Sequence, residues 1–245
     1  MIHALRRPLF AHVAALVALG MSLVAASTGA SAQMGGHHDG TPTASPACAA
    51  MAMGTPMAGE AGHGDHGGTP SDAAVVEFDQ LYIDMMLPHH ASIIALAEAA
   101  LPVLTDPRLQ QMAEAIIAAQ TAENEQLTQW RIAWYGSGEP ATDEATMELM
   151  LEAMPVGTMD EMMREMDARY QVETFCAAAN PDLAFIQQVI PHHQMAIDAS
   201  ENAVEQAVHP ELVAFAEGVI TAQQAEIDVL NEILAEYESA GTPVS

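Results

Sequence analysis

The feature that most constrains this chain is an internal repeat. Sliding it against itself by 103 residues aligns residues 81–131 with 184–234 without a gap, and 17 of the 51 positions are identical. The matches include Pro88/Pro191, His89/His192, His90/His193, Glu98/Glu201, Glu114/Glu217, Gln120/Gln223 and Glu123/Glu226. Self-similarity of this kind marks a duplicated supersecondary unit.

Each copy reads as two helices joined by a short turn. Phe78, Leu81, Tyr82, Met85, His89, Ile93, Leu96 and Ala100 recur at steps of three and four residues, which places them on one helix face. Asp106-Pro107 then opens a second helix, because Asp suits the N-cap and Pro the first helical position. Its stripe runs through Leu109, Ala113, Ile116, Ile117, Gln120, Glu123 and Leu127 to a stop at Gly136-Ser137-Gly138. The layout returns with Asn180-Pro181, whose helix carries Phe185, Val189, His192, His193 and Ile197. Pro210 opens the last helix, with Leu212, Ala216, Val219, Ile220, Gln223, Glu226 and Leu230, and Gly241-Thr242-Pro243 stops it. The pattern predicts an all-α fold: an antiparallel four-helix bundle made from hairpins over residues 73–136 and 181–240.

The connector, residues 137–180, is long for a bundle loop. Two short helices are expected in it, the second opened by a capping box at Thr158-Met159-Asp160-Glu161. Met147, Met150, Met154, Met159, Met162, Met163 and Met166 make it Met-rich. Flexible core filling over one end of the bundle explains them, and a soft-metal surface is the alternative.

Residues 1–32 read as an export signal. Arg6 and Arg7 precede an apolar stretch, and Ala30-Ser31-Ala32 offers a small-residue cleavage site. The arginine pair leaves the general and twin-arginine routes both open. No later stretch is long and apolar enough to span a bilayer, so the expected mature protein is exported, periplasmic or extracellular, and not membrane-embedded. Residues 33–72 lack apolar periodicity and read as disordered. They nevertheless carry His37, His38, Met51, Met53, Met57, His63 and His66, donors that suit a soft or borderline ion such as copper. A flexible spacer of biased composition is the alternative. Cys48 and Cys176 are the two cysteines; an oxidising compartment allows a disulfide, but the spacing fixes no pairing.

Charge excludes one class of function. The formal net charge is −27, no lysine is present, and only Arg108, Arg131, Arg164 and Arg169 follow the signal. Such a surface cannot neutralise phosphates, so no nucleic-acid partner is expected. An acidic field does concentrate cations.

The chemistry centres on Met85-Met86-Leu87-Pro88-His89-His90 and on Val189-Ile190-Pro191-His192-His193. Proline inside a helix costs about 3 kcal/mol, and here it frees the carbonyls of Asp84 and Gln187. Either the helix continues through it, or each proline starts a new one; the stripe through Met85, His89 and Ile93 favours continuity. Adjacent helical residues point about 100° apart, so one His-His pair does not converge on an ion by itself. Further donors must come from one turn away or another helix. Met85 and Met86 lie four residues before His89 and His90, and Met195 three after His192. A His/Met set favours Cu(I), whereas imidazole with carboxylate favours Cu(II) or Zn(II). Glu98, Glu201, Gln120, Glu123, Gln223 and Glu226 are candidates to orient the imidazoles from behind. Alternatively the histidines are hydrogen-bonded core residues, and the glutamates reach water or pair with Arg131. No Glu sits three before any of the four core histidines, as a di-iron bundle site needs, and no H-E-x-x-H motif, serine elbow or phosphate loop is present, so no enzyme is expected.

These His-His repeats resemble the secreted "domain of unknown function 305" family, over about residues 73–238. The family looks like a ferritin-like bundle in one or two copies, with a Met-(Ile/Leu)-Pro-His-His-Gln core motif. Met86-Leu87-Pro88-His89-His90 and Ile190-Pro191-His192-His193-Gln194 fit it, as do Gln120-x-x-Glu123 and Gln223-x-x-Glu226. Ala91 departs from the motif glutamine in the first copy and Val189 from its methionine in the second. The resemblance implies copper or silver binding in the bacterial envelope. The expected function is therefore exported copper binding or tolerance, with silver or zinc as other ions. Other envelope copper-handling proteins are the expected partners, and homodimerisation is left open. The rival readings are a metal-dependent redox enzyme and a structural bundle with non-ligating histidines.

Overall fold

The computed structural model describes residues 45–52 and 76–241. The export signal at residues 1–32 lies outside them, and so do His37, His38, Met53, Met57, His63 and His66. Met51 lies in a helix by its backbone only. All secondary structure among the described residues is helical: α1 (Pro46–Ala52), α2 (Phe78–Ala100), α3 (Pro107–Tyr135), α4 (Glu144–Ala153), α5 (Met159–Met166), α6 (Ala168–Ala177), α7 (Pro181–Gln206) and α8 (Pro210–Ser239). None of these helices is long and apolar enough to cross a membrane.

The caps read from the sequence do their work. Asp106 accepts from the Arg108 N–H at the start of α3 and Asn180 from the Leu183 N–H at the start of α7. Thr158 and Glu161 form the reciprocal capping box of α5. Gly136 ends α3 with φ 81°, a left-handed conformation that costs a glycine nothing. Both α2 and α7 run unbroken through Pro88 and Pro191.

The four long helices form the expected bundle. α2 packs on α3, and α7 on α8, as two hairpins; α2 and α7 then meet between them. These two central helices are antiparallel, since Tyr82 bonds Ser200 at 2.8 Å while Ser92 meets His192 at 2.9 Å. The connector differs from expectation in holding three helices, not two. Asp167 both ends α5 and caps α6, accepting from the Arg169 and Tyr170 N–H groups. α4, α5 and α6 all lie against α2, and only α6 packs also on α7, so the connector favours one repeat and breaks the pseudo-twofold symmetry. Met150, Met154 and Met162 point into the core beneath it, as core filling predicts.

Two buried aspartates lock the hairpins together. Asp79 on α2 accepts from the Val208 and His209 N–H groups at 3.0 and 2.9 Å, ahead of α8. Asp182 on α7 accepts from the Thr105 and Asp106 N–H groups at 2.8 and 3.2 Å, ahead of α3. Each repeat thus caps the turn of the other, relieving the orphan donors of a helix start.

The stretch 33–72 is not structureless throughout. Pro46–Ala52 is a helix, and Cys48 is bonded to Cys176 on α6 across 128 residues. Composition gives a seven-residue helix no stability of its own; the covalent tie and packing of Ala47 and Cys48 on the core supply it. Replacing both cysteines with serine is expected to lower stability by about 2–4 kcal/mol. A urea midpoint unchanged from wild type would show that the cross-link constrains nothing.

Candidate metal centre

The core divides into two apolar clusters with a polar layer between them. One cluster holds Met85, Met86, Leu127, Met150, Met154, Met162, Met195 and Val219. The other holds Ile93, Leu96, Ile116, Phe185, Val189 and Leu230. Between them each long helix contributes polar residues: His89 and His90 on α2, Gln120 and Glu123 on α3, His192 and His193 on α7, Gln223 and Glu226 on α8. The 103-residue repeat brings equivalent residues to one level because the hairpins pack across a pseudo-twofold axis.

All four imidazoles are fully buried. The His89 and His192 rings lie 3.7 Å apart at a tilt of 34°. His90 and His193 stand to either side, their rings 6.3 and 6.2 Å from their sequence neighbours. Both nitrogens of His89 and His90, and Nδ1 of His192 and His193, have no hydrogen-bond partner. Buried polar atoms are normally satisfied, so six orphan ring nitrogens in one layer need a reason. The Oε1 atoms of Gln120 and Gln223 are orphaned too.

The partners that exist define the ring states. The Ser92 hydroxyl bonds the His89 carbonyl at 2.7 Å, the Glu165 carbonyl and the His192 Nε2 at 2.9 Å. Carbonyls only accept, so the single serine proton goes to a carbonyl and His192 Nε2–H donates to Ser92. Its Nδ1 lone pair is then bare. His193 Nε2 donates to the Glu226 carboxylate at 2.7 Å, and its Nδ1 has no partner. An imidazole anchored through its outer N–H with its other lone pair free is the state that ligates metals. Glu123 approaches His90 Nδ1 only to 3.7 Å, beyond hydrogen-bond reach.

Burial sets the charges. It drives the His89 and His192 pKa values well below the ordinary histidine range, and neighbouring imidazoles push them further down. The same desolvation, with the field of His193, lowers His90 to about 3. Glu123 is pushed up to about 7, first by burial and then by the charge of Glu226. His89, His90 and His192 are therefore neutral near pH 7, with lone pairs available for an ion.

Other candidates fall in two groups. Met85, Met86 and Met195 are buried together on one side of the layer. The first two precede their histidines and the third follows, and antiparallel α2 and α7 put all three on the same side. Glu98 and Glu201 are exposed and do not back the histidines. Eight residues overshoot two helical turns by about 80°, which carries them off the histidine face. Arg131 does not pair with the glutamates but with buried Asp84, through Nε and, at 3.1 Å, Nη2. Among the described residues no three His, Cys, Asp or Glu side chains converge around one point.

Sequence reasoning missed Ser92, Asp79 and Asp182. Ser92 occupies the position equivalent to Met195, so the repeat itself flagged it. Carrying the self-alignment two residues upstream pairs Asp79 with Asp182.

The chain is similar to CopM in its Cu(I)-bound form, at 29% identity and a TM-score of 0.52, over 65% of this chain and 96% of CopM. The Cu(II)-bound form of CopM gives the same identity and TM-score, over 65% and 97%. A DUF305 protein from Streptomyces coelicolor shares 19% identity and a TM-score of 0.52 over 65% of this chain and 93% of its own, and that likeness shows the fold alone. Among curated proteins none matches the chain significantly. The family model described as Domain of unknown function (DUF305) matches residues 79–234, from the buried Asp79 into the last turns of α8, and the chain belongs to that family.

Proposed function

We propose that this protein binds copper outside the cytoplasm, as a binding or tolerance factor and not as an enzyme. The observation that carries the reading is the buried layer of imidazoles with unpartnered nitrogens. Leaving such groups unsatisfied costs about 1–3 kcal/mol each, and an ion seated on the bare lone pairs removes that part of the cost. His89, His90, His192 and His193 would be the nitrogen donors, and Met85, Met86 and Met195 the thioether donors on one side. Imidazole and thioether together suit Cu(I) and Ag(I); imidazole and carboxylate suit Cu(II) and Zn(II). Copper redox chemistry is what a bound ion would supply, but full burial leaves the rings no contact with a substrate larger than an ion. CopM, captured with Cu(I) and Cu(II), supports the choice of metal. The Cys48–Cys176 bond supports an oxidising compartment.

The test is a titration with Cu(I), Cu(II), Ag(I) and Zn(II), comparing wild type with a variant in which all four histidines are glutamine. Affinity is expected to fall at least about 100-fold, since each lost ligand costs well over 1 kcal/mol. Circular dichroism checks that the variant stays helical. A second variant carries serine at His37, His38, Met53, Met57, His63 and His66 while keeping Cys48. The reading fails if the quadruple variant keeps its stoichiometry and affinity, or if the tail variant alone loses both.

A further inference from the structure

A fully buried layer poses a problem of access, because a hydrated ion cannot reach ring nitrogens sealed between two apolar clusters. Of the side chains standing on the rings, Glu123 and Glu226 reach water, with 26% and 24% of their side-chain surface exposed. Their carboxylates lie 3.7 Å from His90 Nδ1 and 2.7 Å from His193 Nε2. They come from α3 and α8 at equivalent repeat positions, and the charge of Glu226 acts on Glu123. Three residues before each lies a buried glutamine, Gln120 or Gln223, whose Oε1 has no partner. Residues three apart share a helix face, so each carboxylate is followed by a neutral oxygen donor deeper in the bundle.

We propose that Glu123 and Glu226 form the port through which ions enter and leave the histidine layer. The proposal rests on the ion-binding reading above. The carboxylates draw a cation out of solvent and replace part of its hydration shell. Gln120 and Gln223 carry it past the wall, and the imidazoles receive it. In this role the glutamates change how fast an ion passes more than how tightly it is finally held. Entry and exit slow together, and the equilibrium constant moves less than either rate.

The test uses the full mature chain, stripped of metal, mixed in a stopped-flow instrument with Cu(II) and, in chloride-free buffer, with Ag(I). The double variant Glu123→Gln, Glu226→Gln keeps side-chain shape and the ability to bond a ring. Its loading rate constant is expected to fall at least about tenfold, with a weaker dependence on ionic strength, as loss of electrostatic focusing requires. Its dissociation constant should rise by clearly less than the loading rate falls, since an amide oxygen at position 226 still accepts from His193 Nε2–H. A loading rate equal to wild type overturns the port, and so does an affinity that falls as far as the rate, which would make the glutamates ligands. Should the double variant not fold, E123Q and E226Q taken singly carry the same comparison. If wild type itself takes up neither ion, the ion-binding reading fails first and the port with it; binding by wild type with unaltered kinetics in the variants defeats the port alone.

Discussion

Replacing Arg131 with methionine is expected to lower folding stability by about 3–5 kcal/mol. The guanidinium is almost wholly buried and sits on Asp84, which is fully buried. Methionine fills similar space but leaves a carboxylate in the interior with no cation. Arg131 Nη1 also donates to the Ser137 carbonyl at 2.7 Å, so the change also loosens the turn into the connector. The second repeat has Gln187 and Leu234 at the equivalent positions, so the ion pair belongs to the first hairpin. Urea unfolding of R131M measures the effect, and the double variant D84N/R131M should recover a large part of it by removing the stranded charge. A loss below about 1 kcal/mol in R131M would mean that water reaches Asp84 and the pair is not structural.

The metal-free protein should lose stability steeply as pH falls below 6.5. His89, His90 and His192 are neutral in the fold because burial depresses their pKa values, while in the unfolded chain they take up protons near pH 6.5. Below that pH the unfolded state binds more protons than the native state, so stability rises with pH and is lost as pH drops. For His90 the loss is about 1.4 kcal/mol per pH unit from 6.5 down to about 3. Glu123 works in the opposite sense. Its native value of about 7 lies above the ordinary 4.5, so the fold gains from its protonation between those values. One histidine is therefore offset down to pH 4.5, and the slope steepens below it. Urea midpoints from pH 7.5 to 4, with a chelator present, give the curve. A flat profile between 6.5 and 4.5 would show that the rings protonate freely and are not sealed.

Much of the architecture is local and could be read in one dimension. The four long helices, the caps at Asp106, Thr158 and Asn180, the stop at Gly136 and the His-His level all follow from periodicity, capping chemistry and the duplicated sequence. These depend on residues within a turn or two of one another, and a 103-residue repeat transmits them to both halves. The candidate histidines were legible for the same reason.

What surrounds the histidines was decided by packing. Helix rotation, which two turns of spacing predict poorly, exposed Glu98 and Glu201 yet kept Glu123 and Glu226 on the rings. The antiparallel pairing of α2 and α7 gathered Met85, Met86 and Met195 on one side, although one sequence places them before the histidines and the other after. The laying of the connector on α2 brought Glu165 to Ser92 and Cys176 to Cys48. The sequence by itself determined the four long helices, that they come in two matched hairpins, and where the donors fall along each. Only the tertiary structure decided which donors meet, because contacts between helices depend on rotation, direction and register, and these are set by how all the apolar faces close at once.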